Sequence, residues 1–168
     1  MLNLQTPPKS VDSFLNQCPV PGRKADPTLL ARVARYEHPV LIERIEDKLN
    51  LSHDEALDLF DDCKRFLYLC GTTHEPMAPA EAIDECWHNF ILFTNDYAAF
   101  CQDYFGRFLH HRPFSKQEAV NADGSLTRRT MELAESTFGD LSSNWLYMAR
   151  AHSCGPGKCG ASTNCQDK

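Results

Sequence analysis

The chain has 168 residues, of which 42% are hydrophobic and 24% are charged, and its formal net charge at pH 7 is −6. This length and composition predict one globular domain with a hydrophobic core, and the acidic balance argues against a general nucleic-acid-binding protein, which normally carries a basic surface. No run of about 18 apolar residues occurs, so we expect no association with a membrane.

The chain opens with a Pro-rich leader, residues 1–26, that we expect to be flexible. Its first residues, MLNLQTPPKSVDSF, lack the basic region and the apolar stretch of an export signal, which predicts a cytoplasmic protein.

Three helices are predicted after the leader, because apolar residues recur at helical spacing. The first, PTLLARVARY, has Pro27 in its first turn. The second is PVLIERIEDKLN, with Val40, Ile42, Ile45 and Leu49 roughly on one side. The third, SHDEALDLFDDCKRFLYLCG, begins with Ser52 and Glu55 at capping-box spacing and is expected to end at Gly71.

The fourth predicted helix runs from Pro79 to about Thr94. Apolar side chains cover most of its circumference, which predicts burial on more than one side and a central position. A fifth helix follows from Thr94 or Asn95, buries one stripe that extends to Phe108, and carries His110 at its far end.

The last part of the chain is predicted to hold two shorter helices after the break at HHRPFS. One runs from Leu126 to Phe138, and the other lies in LSSNWLYMAR with Asp140 as its N-cap. The predicted fold is therefore all-α: a compact bundle of about six helices in residues 27–150, with the flexible leader and a Cys/Gly-rich tail, residues 151–168.

Asp84 and His88 are four residues apart, which places them on one face of the fourth helix with Cβ atoms about 6 Å apart. The carboxylate can orient the imidazole, or both can bind one divalent cation with His110 or His111 completing the site. If the two helices are straight and antiparallel, His110 is offset from Asp84 by about 10 Å along the helix axis. The alternative is a structural pair with no ligand.

The tail has a second group of candidate metal ligands, and their types suit zinc or another soft divalent or monovalent metal ion. These ligands are His152, Cys154, Cys159 and Cys165. Their spacing is not C-x-x-C, so a redox-active thiol pair and plain disorder stay open as alternatives.

The segment DECWHNFILFTNDYAAFCQDYFGRFLH resembles the core motif of the glycine-rich domain-containing protein-like family. The matching positions are Asp84, Trp87, His88, Tyr97, Cys101, Gly106 and His110. The tail string CGPGKCG is similar to the Cys/Gly-rich ends of bacterial members, whereas the long glycine-rich domains of plant members are missing. The resemblance implies a helical fold and candidate positions, and it implies no reaction.

Three functions follow as hypotheses. The preferred one is a non-enzymatic cytoplasmic module that binds a metal ion or a protein partner, through the tail or through the helix of Asp84 and His88. The second is a metal-dependent enzyme centred on Asp84, His88 and His110, and the third is a protein-interaction domain without a metal. The sequence has no phosphate-binding glycine loop, nucleophile elbow or H-E-x-x-H motif, which counts against the enzyme and leaves that question open.

Overall fold

A computed structural model describes residues 26–73, 75–113 and 124–146, together with the backbone of residues 163–165. Within these ranges the chain forms seven helices and one short pair of strands. In chain order they are α1 (Pro27–Ala34), α2 (Pro39–Leu49), α3 (His53–Thr72), α4 (Glu81–Ile91), α5 (Thr94–Phe105), β1 (His111–Pro113), α6 (Ser125–Phe138), α7 (Ser143–Leu146) and β2 (Thr163–Cys165). The all-α prediction is confirmed.

The starts of the first three helices follow from their local sequence. The carboxylate of Asp26 accepts a hydrogen bond from the backbone of Thr28, and His38 caps α2 in the same way. Ser52 and Glu55 form the predicted capping box at the start of α3, so the backbone N–H groups of the first turn are paired. Val40, which the sequence placed on the same side of α2 as Ile42, is 58% exposed, because Leu41, Ile42 and Ile45 form the face that meets the core.

Gly71 does not end α3, as the sequence suggested; the helix continues through Thr72. A Cβ atom at this position would overlap the aromatic ring of Phe105, at the end of α5. Glycine is therefore required here by the close approach of two helices, because it is the only residue without a Cβ.

The core lies where α3 and α4 pack together, and α4 is central as predicted. Ile83, Cys86, Trp87 and Phe90 of this helix are completely buried. Side chains from α1, α2, α5, α6 and α7 complete the same hydrophobic cluster. The two polar residues buried on α4, Asp84 and Asn89, lie at the edge of this cluster.

The prediction that α5 continues to His110 is wrong. Gly106 adopts a left-handed conformation, with φ of 69°, and ends the helix one residue after Phe105. Left-handed glycine is a common helix terminator because it carries no Cβ to clash with the backbone. The chain then extends toward β1, and Phe108 is left 42% exposed instead of joining the buried stripe.

The last helix, α7, is attached to α3 by one buried carboxylate. Asp62 accepts hydrogen bonds from Ser142 Oγ at 2.6 Å, from Asn144 Nδ2 at 2.9 Å and from Trp145 Nε1 at 2.9 Å. Ser142 also accepts from the backbone of Asn144, so it performs the capping role that the sequence assigned to Asp140. Among the helices of the described ranges, none combines the length and the apolar character that a membrane span needs.

Candidate metal centre

Three side chains with metal-ligating atoms converge between α4 and β1. Asp84 and His88 lie one turn apart on α4, and His111 is the first residue of β1. One ligand atom from each lies within 4.8 Å of the other two. The Nε2 atom of His111 is 3.0 Å from Oδ1 of Asp84, and the Nδ1 atom of His88 is 3.4 Å from Oδ2 of the same carboxylate.

The route of the chain after α5 brings His111 to this position. An extended chain rises about 3.3 Å per residue, compared with 1.5 Å in a helix. The extended segment after Gly106 therefore carries His111 to Asp84, which a continued helix of the same number of residues would not reach. A chain of hydrogen bonds holds this segment: Trp87 Nε1 donates to the hydroxyl of Tyr97 at 2.9 Å, and that hydroxyl donates to the carbonyl of Leu109 at 2.6 Å. The carbonyl belongs to the residue two positions before His111.

Aromatic contacts fix the imidazole of His111. Its ring centroid is 4.4 Å from that of Trp87 and 4.2 Å from that of His88. The side chains of His111 and Asp84 are 7% and 9% exposed, whereas that of His88 is 42% exposed. The cluster therefore has a rigid buried side, formed by Asp84 and His111, and one face that an ion can approach from solvent.

Nδ1 of His88 indicates that the cluster fits a metal ion. This atom is buried and has no hydrogen-bond partner within the described part of the chain. Its 3.4 Å separation from Asp84 is within ion-pair range, but the alignment does not make a hydrogen bond. A buried polar nitrogen without a partner is costly, and a bound cation would use its lone pair.

The distances also suit a small divalent cation. Zinc binds imidazole nitrogen and carboxylate oxygen at about 2.0–2.1 Å, so neighbouring ligand atoms in a tetrahedral site lie roughly 3.3 Å apart. The separations of 3.0 Å from His111 to Oδ1 of Asp84 and of 3.4 Å from His88 to Oδ2 lie close to this value, and all three ligand atoms lie within 4.8 Å of one another. An ion between Asp84 and the two histidines would draw these side chains toward it.

A model of the UCP032817-like family matches residues 30–137, well over half of the chain. The chain belongs to the UCP032817-like family. The matched range contains Asp84, His88 and His111, and it ends before Cys165. No curated protein and no solved structure is significantly similar to the chain.

Membership of the UCP032817-like family, which is uncharacterised, places the three candidate ligands in the family domain and assigns them no role. The resemblance to the glycine-rich domain-containing protein-like family stays a prediction, because none of these findings tests it.

Of the two histidines that the sequence left open, His111 joins the cluster in this UCP032817-like domain. His110 is exposed, and its ring lies 4.9 Å from that of Phe108. In an extended segment successive side chains point to opposite faces, so only one of two adjacent histidines can turn toward Asp84. The clue in the sequence was Gly106, because glycine commonly ends a helix in the left-handed conformation that it adopts here.

The tail ligands are placed only in part. His152, Cys154 and Cys159 lie outside the described residues, whereas the backbone of Cys165 belongs to β2. This strand pairs antiparallel with β1, and Cys165 is the register partner of His111. The backbone of one tail residue is therefore paired with the strand that carries His111.

The cysteines in the core have a different environment. Cys63 and Cys86 are completely buried. Burial, and then a hydrogen bond with the thiol of Cys86, raise the pKa of the Cys63 thiol well above its usual value. A protonated thiol is a poor metal ligand, so Cys63 acts as a small core residue at neutral pH.

Proposed function

We propose that this domain is a non-enzymatic module that binds one divalent metal ion, preferably Zn²⁺, through Asp84, His88 and His111. The observation that carries the proposal is the buried Nδ1 of His88, which has no hydrogen-bond partner in the described chain and lies beside a carboxylate and a second imidazole. Two imidazoles with one carboxylate suit Zn²⁺ better than Mg²⁺ or Ca²⁺, which prefer sites made of oxygen atoms.

The positions of two cavities bear on whether a substrate could reach the cluster. Two surface cavities, of about 400 and 450 Å³, occur in the described chain away from the cluster. The first lies between α1, α3 and α6 and the second beside α6 and α7, and Asp84, His88 and His111 line neither. Neither of these two cavities therefore provides a substrate site beside the cluster.

The proposal is tested by zinc titration calorimetry and elemental analysis of the full chain, purified without chelators. We expect one high-affinity zinc ion per chain. Asp84→Asn, His88→Gln and His111→Gln should each weaken the affinity at least about 10-fold, because each removes one direct ligand.

His53→Gln and Glu46→Gln are the matched controls. These side chains form another pair of a histidine and an acid, 2.6 Å apart, but the histidine is 67% exposed and has no further ligand beside it. Both controls should bind zinc like the parent. A parent protein that binds no zinc, or site variants with parental affinity, would refute the proposal and favour a protein-interaction domain without a metal.

A further inference from the structure

A surface groove of about 450 Å³ lies beside α6 and α7, away from the candidate metal centre. Four residues of α6 line it: Arg128, Met131, Glu132 and Glu135. Counted from the first of them, the others follow after three, four and seven residues, so all four lie on one face of the helix. α6 packs against the core with a different face, where Ala134 is completely buried.

The groove has an apolar lining. Leu141 and Leu146 line it together with Met131. Leu146 is 60% exposed, which makes it one of the most exposed large apolar side chains of the described residues. Exposed apolar side chains that are grouped in a concave site and bordered by polar residues mark surfaces that bind a partner.

The exposed position of Leu146 is fixed by its neighbours in α7. Trp145 is completely buried, and its Nε1 atom donates a hydrogen bond to Asp62 at 2.9 Å. The Nδ2 atom of Asn144 donates to the same carboxylate, also at 2.9 Å. Because these bonds attach α7 to α3, the groove is preformed, and a partner that binds there pays little entropy for ordering it.

The charged residues of the groove are mainly acidic. Glu132, Glu135 and Asp140 are exposed, and the exposed basic residue among them is Arg128. Three carboxylates against one guanidinium leave a local charge of −2, on a chain whose formal net charge is −6. Such a surface attracts a partner of positive charge and repels a negative one.

We infer that this groove docks a basic amphipathic helix of a partner protein. The apolar face of the helix contacts Met131, Leu141 and Leu146, and its Lys or Arg side chains pair with the surrounding carboxylates. Binding of an amphipathic helix in an apolar groove is a common mode of peptide recognition. The inference is independent of the metal ion, because Asp84 and the two histidines of the cluster do not line the groove.

The test uses two synthetic peptides as probes, because the partner is defined here by its chemistry. One is a helical peptide of about 14 residues, roughly 21 Å long, with leucines along one face and lysines elsewhere. The other has glutamate in place of every lysine. In fluorescence anisotropy titrations with the full-length chain at near-physiological ionic strength, the lysine peptide should bind at least about 10-fold more tightly than the glutamate peptide.

Variants of the groove separate its apolar and acidic parts. Leu146→Ser should weaken binding of the lysine peptide at least about 10-fold, because it removes an apolar anchor. Glu132→Gln combined with Glu135→Gln should weaken binding several-fold and reduce its dependence on salt, since exposed charges are screened by added ions.

Matched controls exist elsewhere on the surface. Leu92, at the end of α4, is 62% exposed, so Leu92→Ser removes an equally exposed leucine outside the groove. Glu43→Gln combined with Asp47→Asn removes two exposed acidic charges from α2. Both controls should bind the lysine peptide like the parent, and all of these variants should keep the parental urea unfolding curve.

Failure of the lysine peptide to bind, or equal binding of both peptides, would overturn the inference. Equal losses in Leu146→Ser and Leu92→Ser would overturn it as well, because binding would then not depend on the groove. Analytical ultracentrifugation tests another occupant. A dimer of the parent that Leu146→Ser dissociates would show that a second copy of this chain fills the groove in place of a basic helix.

Discussion

Asp84 contacts both histidines of the candidate metal centre, one through each carboxylate oxygen. It lies in the first turn of α4, where the positive end of the helix dipole stabilises a carboxylate. Its contact with His111 is a hydrogen bond between two buried side chains, whereas the half-exposed ring of His88 lies 3.4 Å from the carboxylate without a hydrogen bond. The metal-free protein should therefore depend on Asp84 and His111 more than on His88.

This difference can be measured by urea unfolding with a chelator present. Asp84→Ala should lower the free energy of unfolding by about 1–3 kcal/mol, because it leaves the buried Nε2 of His111 without its carboxylate partner. His88→Gln should change it by no more than about 0.5 kcal/mol, since its ring makes no hydrogen bond through Nδ1. Equal losses in the two variants would show that His88 has a structural role that its exposure does not suggest.

Tyr36 provides a pH-dependent contribution to stability elsewhere in the fold. Burial, and then the nearby charge of Asp96, raise the pKa of its hydroxyl from 10.0 to about 12. The folded state therefore binds the phenolic proton more tightly than the unfolded state does. The resulting stability is complete below pH 10.0 and is lost as the pH rises through about 12.

We expect the parent protein to lose stability relative to Tyr36→Phe as the pH rises from 10.0 to about 12, because phenylalanine has no proton to release. Below this window the difference between the two proteins should be constant. Urea unfolding of both proteins across the range measures it, and a difference that is independent of pH would contradict the assignment to Tyr36.

Among the secondary-structure elements, the extended segment between α5 and β1 decides the geometry of the site. Trp87 on α4 and Tyr97 on α5 hold it through the hydrogen bonds that end at the carbonyl of Leu109. All three of these residues are buried. The position of His111 therefore depends on Trp87 and Tyr97, which hold the segment that carries it.

Tyr97→Phe should lower the free energy of unfolding by about 1–3 kcal/mol, because it removes a hydroxyl that pairs with both Trp87 and Leu109. Zinc affinity should fall as well, since the segment that carries His111 is less firmly held. Tyr104→Phe is the control, because this half-buried ring on the same helix packs against the core and lies away from the site. Zinc affinity equal to that of the parent would show that His111 is held by other contacts.

The contact between α3 and α5 gives a second prediction for the elements. Alanine favours a helix interior over glycine by about 1 kcal/mol, so helix propensity alone predicts that Gly71→Ala stabilises the protein. Because a Cβ atom would overlap the ring of Phe105, we expect a net destabilisation of about 1–3 kcal/mol instead. Thermal and urea unfolding measure it, and a gain in stability would mean that α5 can move away at little cost.

On the scale of the whole molecule, we expect the stability of the helical core to be independent of the tail, residues 151–168. The buried hydrophobic cluster runs from Val33 to Trp145, and β2 contributes three residues to a single short ladder. The helices should therefore fold without the tail.

Deleting residues 151–168 tests this separation. Helicity should persist, because all seven helices of the described chain lie in residues 27–146. Zinc affinity should stay close to that of the parent, because Asp84, His88 and His111 lie outside the deleted segment, and it should fall at least about 10-fold when His88→Gln is added. A loss of affinity on deletion alone would place a ligand in the tail. Binding that is unaffected by His88→Gln in the shortened chain would exclude the site on α4.

The parts of this fold that were predictable from the sequence depend on neighbouring residues. The capping box of Ser52 and Glu55 and the start of α1 at Pro27 are set within one turn of helix, so their sequence patterns are sufficient. The central position of α4 followed from apolar residues around its circumference. The predictions that Gly71 ends α3 and that Val40 lies on the buried side of α2 were wrong. The contacts of both residues depend on how other helices pack, which the local sequence does not specify.

The candidate site also depends partly on local sequence and partly on tertiary packing. The sequence by itself determined that Asp84 and His88 share one helix face, because a separation of four residues is a property of the helix. Only the tertiary structure decided that His111 and not His110 completes the cluster, since this depends on where α5 ends and which face of the extended segment meets α4. The pairing of Cys165 with His111 is likewise tertiary, because strand register between distant residues is set by packing and chain closure and leaves no local pattern in the sequence.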